Sequence, residues 1–286
     1  MINPIISIII PCYNGSKFII ETLNSILIQS ENRFEVIIID DGSTDNTKQK
    51  ITCFLDERIK YIYQDNQGVS VARNNGLLIS NGIYVVFFDA DDLMTDDFLS
   101  SRLSCLESQT HLDFISGKVN KFNEEILNQQ DYRGTSNNAL EEILLYNSDV
   151  ITCPSNYIFK KDFLLKNDIC FNPKLFSTAD KYFLIQCASL GSSNYFDNLA
   201  PLKYRVNETS MSHKLSLNLI SDNEQYYKEL IKVDLIAKNL RSKSFFLRDF
   251  ILFGSYWKLN YKLKSLPFAI KSFLRNPYLF LLKITS

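Results

Sequence analysis

Along the first hundred residues the apolar positions fall in blocks that alternate between two periods. Residues 5–11 (IISIIIP) form an unbroken β-branched run, the pattern of a strand covered on both faces. Residues 16–29 carry a helical stripe of Phe18, Ile19, Thr22, Leu23, Ile26 and Leu27. A second buried strand over 34–39 (FEVIII) ends at Asp40-Asp41-Gly42-Ser43, and 44–55 reads as a helix capped by Ser43 or Thr44. A short strand at 59–63, a helix at 69–80, a stop at Gly82 and a strand over 83–88 (IYVVFF) complete the series. Strands and helices joined by short loops imply an α/β fold, a mostly parallel sheet flanked by helices, with its ligand at the carboxyl ends of the strands. Three polar clusters fall at such ends: Cys12-Tyr13-Asn14, Asp40-Asp41 and Asp89-Ala90-Asp91.

Beyond residue 113 the pattern loosens. Strands are expected at 113–119, 157–160 and 201–206, and helices at 138–146 and 180–190; after Ser221 the chain reads as helical almost to its end. Composition alters this picture in three ways. With 45% hydrophobic and 22% charged residues, the 286-residue chain is not disordered or low-complexity. Six scattered cysteines and two histidines give no zinc knuckle, redox pair or His-rich metal site, so the thiols are expected reduced and packed as small hydrophobes. The net charge of -1 hides a split: residues 241–286 hold nine Lys/Arg against Asp249 alone, a net +8, which leaves -9 for residues 1–240. No apolar stretch reaches roughly 18 residues, so no membrane span is expected. The Met-Ile-Asn-Pro start has no basic region or cleavage site, so no signal peptide is expected either.

The acidic clusters are the candidate chemistry. Asp89 and Asp91, two apart on extended backbone, can face one ligand, and oxygen donors without His or Cys suit Mg2+ or Mn2+. Equally, Asp91 and Asp92 can cap a helix over 93–103. Asp40 and Asp41 can accept from a base imide or a ribose hydroxyl, or serve only the turn that Asp-Gly-Ser-Thr-Asp encodes. Arg73, at the start of the 69–80 helix, can hold a phosphate, cover a base, or lie in solvent.

Three segments in order, SIIIPCYNGSKFIIETLNSILIQ, FEVIIIDDGSTDNT and NQGVSVARNNGLLISNGIYVVFFDADD, resemble the family 2 glycosyltransferases, inverting enzymes of the GT-A fold. The resemblance is dense over residues 5–100 and thin to about 215. It implies a GT-A domain over 1–215, with a nucleotide-sugar-binding half (1–110) and an acceptor half (111–215), followed by a basic, aromatic-rich helical extension over 216–286. Pro11, Tyr13, Asn14, Asp41, Arg73, Asp89 and Ala90 match nucleotide-binding positions, with Asp41 on uracil, Tyr13 stacking near it and Asp89 on the ribose. Asp91 matches the ligand of a Mn2+ or Mg2+ ion beside the diphosphate, which stabilises the leaving charge. Asp180 matches the base that deprotonates the acceptor hydroxyl. The family's acidic pair is broken at Ala179, which leaves Asp168 as the fallback and Ser177/Thr178 as caps of an ordinary helix start. Tyr204-Arg205 and Ser210–His213 resemble the family's late segments, with His213 or Lys214 reaching toward the diphosphate. His111 reads as surface.

The resemblance implies a UDP-sugar donor and a hydroxyl of a lipid-linked or surface glycan as acceptor. The tail from Phe245 to Lys283 interleaves aromatics with Lys/Arg and reads as a peripheral anchor on the inner face of the cell membrane, in a cytoplasmic protein, and not as a nucleic-acid surface. Two alternatives remain at this level. One is a nucleotide-sugar-binding protein that has lost catalysis at Ala179. The other is a nucleotidyltransferase, disfavoured because Cys-Tyr-Asn-Gly-Ser-Lys has a single Gly where a triphosphate loop needs several.

Overall fold

The apolar runs become the centre of a seven-stranded sheet. The structure, a computed structural model, describes residues 3–123, 129–206 and 215–285. Its first four strands are β1 (Ile6–Cys12), β2 (Phe34–Asp41), β3 (Ile59–Gln64) and β4 (Tyr84–Phe87), all parallel. Later strands are β5 (Leu93–Met94), β6 (Phe114–Ser116), β7 (Lys118–Phe122), β8 (Gln129–Arg133), β9 (Tyr157–Lys160), β10 (Ser193–Tyr195) and β11 (Leu202–Arg205). The main sheet runs β10-β6-β9-β4-β1-β2-β3, and β9 alone opposes the others. A smaller sheet, β5-β11-β7-β8, stands beside it.

The side-chain period of two divides the core. Ile6, Ile8 and Ile10 of β1 pack with Val36, Ile38 and Val86 against α1 (Ile19–Leu27) and α4 (Phe98–Ser108). Ile9, Val85 and Phe87 face the opposite side, toward α3 (Val69–Ile79) and α7 (Ala179–Leu190). There Phe171 stacks on Phe183 at 4.1 Å and meets Phe87 edge-on at 4.9 Å. Helices thus cover both faces, as the alternation requires.

Three local expectations change. The helix expected over 93–103 starts only at Phe98, because Leu93 and Met94 pair antiparallel with Lys203 and Leu202; Asp91 and Asp92 cap no helix. The strand expected over 113–119 divides at Gly117, where a Cβ would lie 2.9 Å from the Arg102 guanidinium, and the chain passes from the large sheet to the small one. The helix after β2 is only α2 (Thr47–Thr52), and Ser43 and Thr44 do not cap it, because both bond Asn14 of the neighbouring loop.

The C-terminal part comprises α8 (Leu217–Lys232), α9 (Arg241–Lys258), α10 (Lys262–Arg275) and α11 (Pro277–Thr285). It joins the core directly: Tyr226, Tyr227 and Leu230 of α8 are buried in the same cluster as Phe87 and Phe183. Two short helices, α5 (Ala139–Leu144) and α6 (Lys161–Lys166), and a 3-10 turn at Pro154–Asn156 complete the element list.

Two glycines give opposite predictions. A Cβ on Gly76 would stand 2.3 Å from Ile9 Cγ2, where α3 lies on β1, whereas one on Gly254 in α9 meets nothing within 4 Å. Gly→Ala gains about 1 kcal/mol of helix propensity in either helix, but overpacking costs about 1–3 kcal/mol at Gly76 alone. Chemical denaturation is therefore expected to find G254A stabilised by about 1 kcal/mol and G76A destabilised by a similar amount.

Candidate active site

The sheet order places the site. The chain adds β2 and β3 on one side of β1 and then returns to place β4 on the other, which opens a crevice at the carboxyl ends of β1 and β4. β4 stays paired with β1 only as far as Phe87, opposite Ile9. Pro11, two residues further on, therefore sits in a central strand without depriving β4 of a donor.

The β1 and β2 ends are laced together. Asn14 takes a left-handed φ of 50°, donates its backbone N–H to Ser43 Oγ at 2.9 Å and accepts from Thr44 N at 2.8 Å. Asp40 and Asp41 lie inside β2 and are buried. Asp40 accepts from Ser43 N and the Tyr61 hydroxyl. Asp41 accepts from Gln64 Nε2, Gln67 N and Gly68 N at 2.7–2.8 Å, so it anchors the loop that opens α3. A carboxylate has about four acceptor positions, which leaves Asp41 one more. Tyr13, just past the end of β1, is 55% exposed.

Arg73 is buried (3% exposed) and lies on the Phe171 ring at 4.8 Å. Its Nη2 donates to Asp89 Oδ1 at 2.7 Å and its Nη1 to Asp180 Oδ1 at 2.6 Å. It is thus neither a solvated charge nor directed at open space. Burial would lower its pKa, but Asp180 and Asp89 together raise it above the ordinary value and keep it charged. Asp180, in the first turn of α7, is pushed above the usual carboxylate range by burial and by the charge of Asp89, against the pull of Arg73. Its side chain keeps 32% of its surface open.

The acidic run after β4 is not extended. Asp92 N returns to Asp89 O at 3.3 Å, so the chain turns at Ala90-Asp91. Thr22 Oγ1 of α1 donates to the carbonyls of Ala90 and Asp92, and Arg205 holds the turn from β11. Arg205 Nε donates to the Asp91 carbonyl and Nη2 to Glu21 at 2.6 Å, while its backbone N–H donates to Asp92 Oδ1. Asp92 is buried beside the Cys153 thiol at 3.6 Å, and burial with Asp89 and Asp91 drives its pKa well up. Donor atoms of Asp89, Asp92 and Cys153 lie within 4.8 Å of one another. That set fits a hard cation poorly, because burial keeps the thiol protonated and Asp92 is already bonded to Arg205. Asp89 and Asp91 are both half-buried carboxylates, the oxygen-donor type that Mg2+ or Mn2+ takes, but the turn removes the extended spacing that would aim both at one ligand, and Asp89 Oδ1 already accepts from Arg73.

From Asp89 and Asp180 a cavity of about 650 Å³ extends outward, lined also by Lys121, Lys181 and Tyr204 and walled by α8 and α9 through Ile220 and Leu252. Sequence reasoning missed this wall, and with it Asp222. That α8 carboxylate accepts from Phe176 N, Ser177 Oγ, Thr178 N and Thr178 Oγ1 at 2.7–2.9 Å, and so fixes the turn that presents Asp180. Ser177 and Thr178 therefore do not cap α7 with their own side chains. The available signal was an acid on an apolar stripe: Leu219, Asp222, Tyr226 and Leu230 share one helix face. Ala179 is buried among the aromatics, where an acid would lack solvent. Asp168 is exposed in the turn after α6 and lines no part of the cavity. Residues 207–214, with His213 and Lys214, lie outside the described residues.

The model of the family "Glycosyl transferase family 2" matches residues 7–167. The chain belongs to this family. Its relatives include an uncharacterized glycosyltransferase of Rickettsia conorii, 40% identical over 121 residues, 42% of this chain and 20% of that one. The poly(ribitol-phosphate) beta-N-acetylglucosaminyltransferase TarS of Staphylococcus aureus is 27% identical over 241 residues, 82% of this chain and 41% of TarS. The chain thus spans only a fifth to two-fifths of these relatives. In structure it resembles residues 1–349 of TarS in complex with UDP-GlcNAc (TM-score 0.68, 17% identity, 95% and 92% of the two chains). It also resembles the mannosyltransferase PcManGT of Pyrobaculum calidifontis in complex with GDP-Man and Mn2+ (TM-score 0.64, 17% identity, 93% and 75%). The family's GT-A fold is therefore present, with the helical C-terminal region attached.

Replacing Asp222 by Asn removes the only charge among these four hydrogen bonds and leaves buried donors facing an amide. The expected cost is about 2–3 kcal/mol of stability, measured by denaturation, and a loss of turnover that exceeds any loss of nucleotide affinity.

Proposed function

We propose that the protein transfers a sugar from a nucleotide-sugar, UDP-linked, to a hydroxyl of a bacterial surface or lipid-linked glycan, with inversion in one displacement. The observation that carries this reading is the Asp180 carboxylate, open to a 650 Å³ cavity and joined through Arg73 to Asp89 at the end of β4. Residues 1–110 receive the donor: Pro11, Tyr13 and Asn14 flank the base, Asp41 accepts from it, and Asp89 with Ala90 meets the ribose. Residues 111–215, with α8 and α9 from the extension, enclose the acceptor. TarS in complex with UDP-GlcNAc supports the UDP donor, and PcManGT with Mn2+ supports a divalent ion.

Asp89 and Asp91 would hold the Mn2+ or Mg2+, which supplies positive charge for the leaving diphosphate. The chain's own part is positional. Asp180 accepts the proton of the attacking hydroxyl, and its raised pKa makes it a stronger base than an exposed carboxylate. Arg73 fixes its orientation and keeps it ionised enough to act.

Calorimetry of UDP binding with and without Mn2+ is the direct test. Wild type is expected to bind UDP with the metal and D91A to lose the metal dependence, while D180N binds UDP normally and transfers nothing. Because the base must be deprotonated, transfer should fail as pH drops through a limb lying above the ordinary carboxylate range, and R73M should move that limb higher.

We also propose that the protein rests on the inner face of the cell membrane through α10 and α11. No helix among the described residues is long and apolar enough to cross a membrane. Leu263, Leu266, Ile270, Leu274, Tyr278 and Leu281 are exposed there beside Lys264 and Lys271. Part of the tail's charge is spent internally, since Arg248 and Arg275 both pair with the buried Asp249. The wild-type chain should co-sediment with anionic phosphatidylglycerol vesicles, and less so as salt rises. L263E/I270E/L274E should stay in the supernatant.

A further inference from the structure

We propose that the cavity beside Asp180 takes an acceptor carrying an anionic group, a phosphate or a carboxylate, and that the Lys181 ammonium receives that group. The inference rests on the glycosyltransferase reading and adds a substrate class to it. Lys181 follows the base in the first turn of α7 and lines both the 650 Å³ cavity and an adjoining one of about 150 Å³. Among the described residues no carboxylate forms an ion pair with it, and its contact is the face of Tyr146, at 4.6 Å.

The acids close by are committed elsewhere. Asp180 and Asp89 are both bound by Arg73, at 2.6 and 2.7 Å. Glu142, which lines the smaller cavity, holds Arg133 at 2.6 Å and also accepts from Ser136 N and Oγ. Burial lowers the Lys181 pKa, and no acid offsets it. Lys121, which also lines the main cavity, likewise rests on an aromatic face, that of Tyr132 at 3.8 Å. Arg73 offsets only one of the two carboxylate charges of Asp89 and Asp180, so these two lysines bring the group to a single net positive charge. A partly desolvated ammonium without a counter-ion gains most from an anion that enters with the ligand.

Adjacency fixes the geometry of recognition. Asp180 and Lys181 are consecutive on one helix, so their side chains diverge by about 100° around the axis. The accepting hydroxyl and the anion therefore belong to the same or adjoining unit of the acceptor. Ile220 and Leu252 cover its less polar face.

The test uses the full chain saturated with UDP and Mg2+, so that added anions cannot report from the diphosphate position. Glucose, glucuronate and inorganic phosphate are titrated calorimetrically into wild type, K181M and K181R. One of the two anions should bind wild type more tightly than glucose, about tenfold more weakly in K181M, and nearly as well in K181R. Glucuronate points to a uronic-acid acceptor and phosphate to a phosphodiester one. In the wild-type chain alone, the Lys181 ammonium pKa read by NMR should rise when that anion is added. Anions that bind no better than glucose, equal affinity in K181M, or an unmoved ammonium pKa each overturn the proposal while leaving the donor site standing. Failure of wild type to bind UDP at the outset overturns the functional reading, and this assignment with it.

Discussion

Three charges that no water can fully reach hold the two halves of this protein in register. Arg73 comes from α3, Asp89 from the end of β4 and Asp180 from the start of α7, so the guanidinium ties the strand end to the helix start across the crevice. Of the three only Arg73 is fully buried, so losing a carboxylate leaves part of its charge uncompensated, whereas the two partly open acids can be screened by solvent. The cost of burying Arg73 is met by short bonds to both carboxylates and by the Phe171 face, although its Nε has no hydrogen-bond partner among the described residues. The cluster is also asymmetric in use. Each carboxylate gives Arg73 one oxygen, Oδ1. Asp180 Oδ2 takes no part in the Arg73 bond, while Asp89 Oδ2 lies 3.7 Å from the Cys153 thiol.

Everything around the triad serves to keep it still. Phe171 is held by Phe183 and Phe87, so the floor beneath Arg73 is part of the main core. Asp222 fixes the turn before Asp180 from α8, and Arg205 with Thr22 fixes the turn after Asp89 from β11 and α1. These supports come from segments more than forty residues away from what they hold. A rigid scaffold with short polar ties is what a site needs when its reacting groups must meet a substrate at set distances.

That separation explains what could be read from the sequence. β1, β2 and β4 were legible because a strand buried on both faces writes itself as a continuous apolar run, whereas β3, at the sheet edge and half exposed, shows only a short one. Asp41, Asp89 and Asp180 were legible as strand-end or helix-start acids, with the family resemblance giving them roles. The cap assigned to Asp91 and Asp92 failed because the pairing of Leu93-Met94 with Leu202-Lys203 lies more than a hundred residues ahead, and no local propensity encodes it. Asp222 left a faint trace, an acid on an apolar stripe. Lys181 left none, since a lysine beside a helix-start Asp looks like any solvated residue until Tyr146 and the cavity are placed around it.

The C-terminal helices were read as an appendage, and their packing gives them a second role. α9 lines the cavity through Ile251, Leu252 and Ser255 on one side and packs against α10 on the other. Ser265 and Ser272 of α10 are fully buried, Ser272 Oγ donates to the Phe246 carbonyl of α9, and small side chains of this kind let the two helices approach closely. Phe246, Phe250, Phe253 and Phe280 then join α9 to α11. A surface that engages the exposed leucines of α10 is therefore one tightly packed helix away from the cavity wall. Close-packed helices transmit displacement rather than absorb it. Whatever α10 rests on is thus coupled through α9 to the cavity beside Asp180.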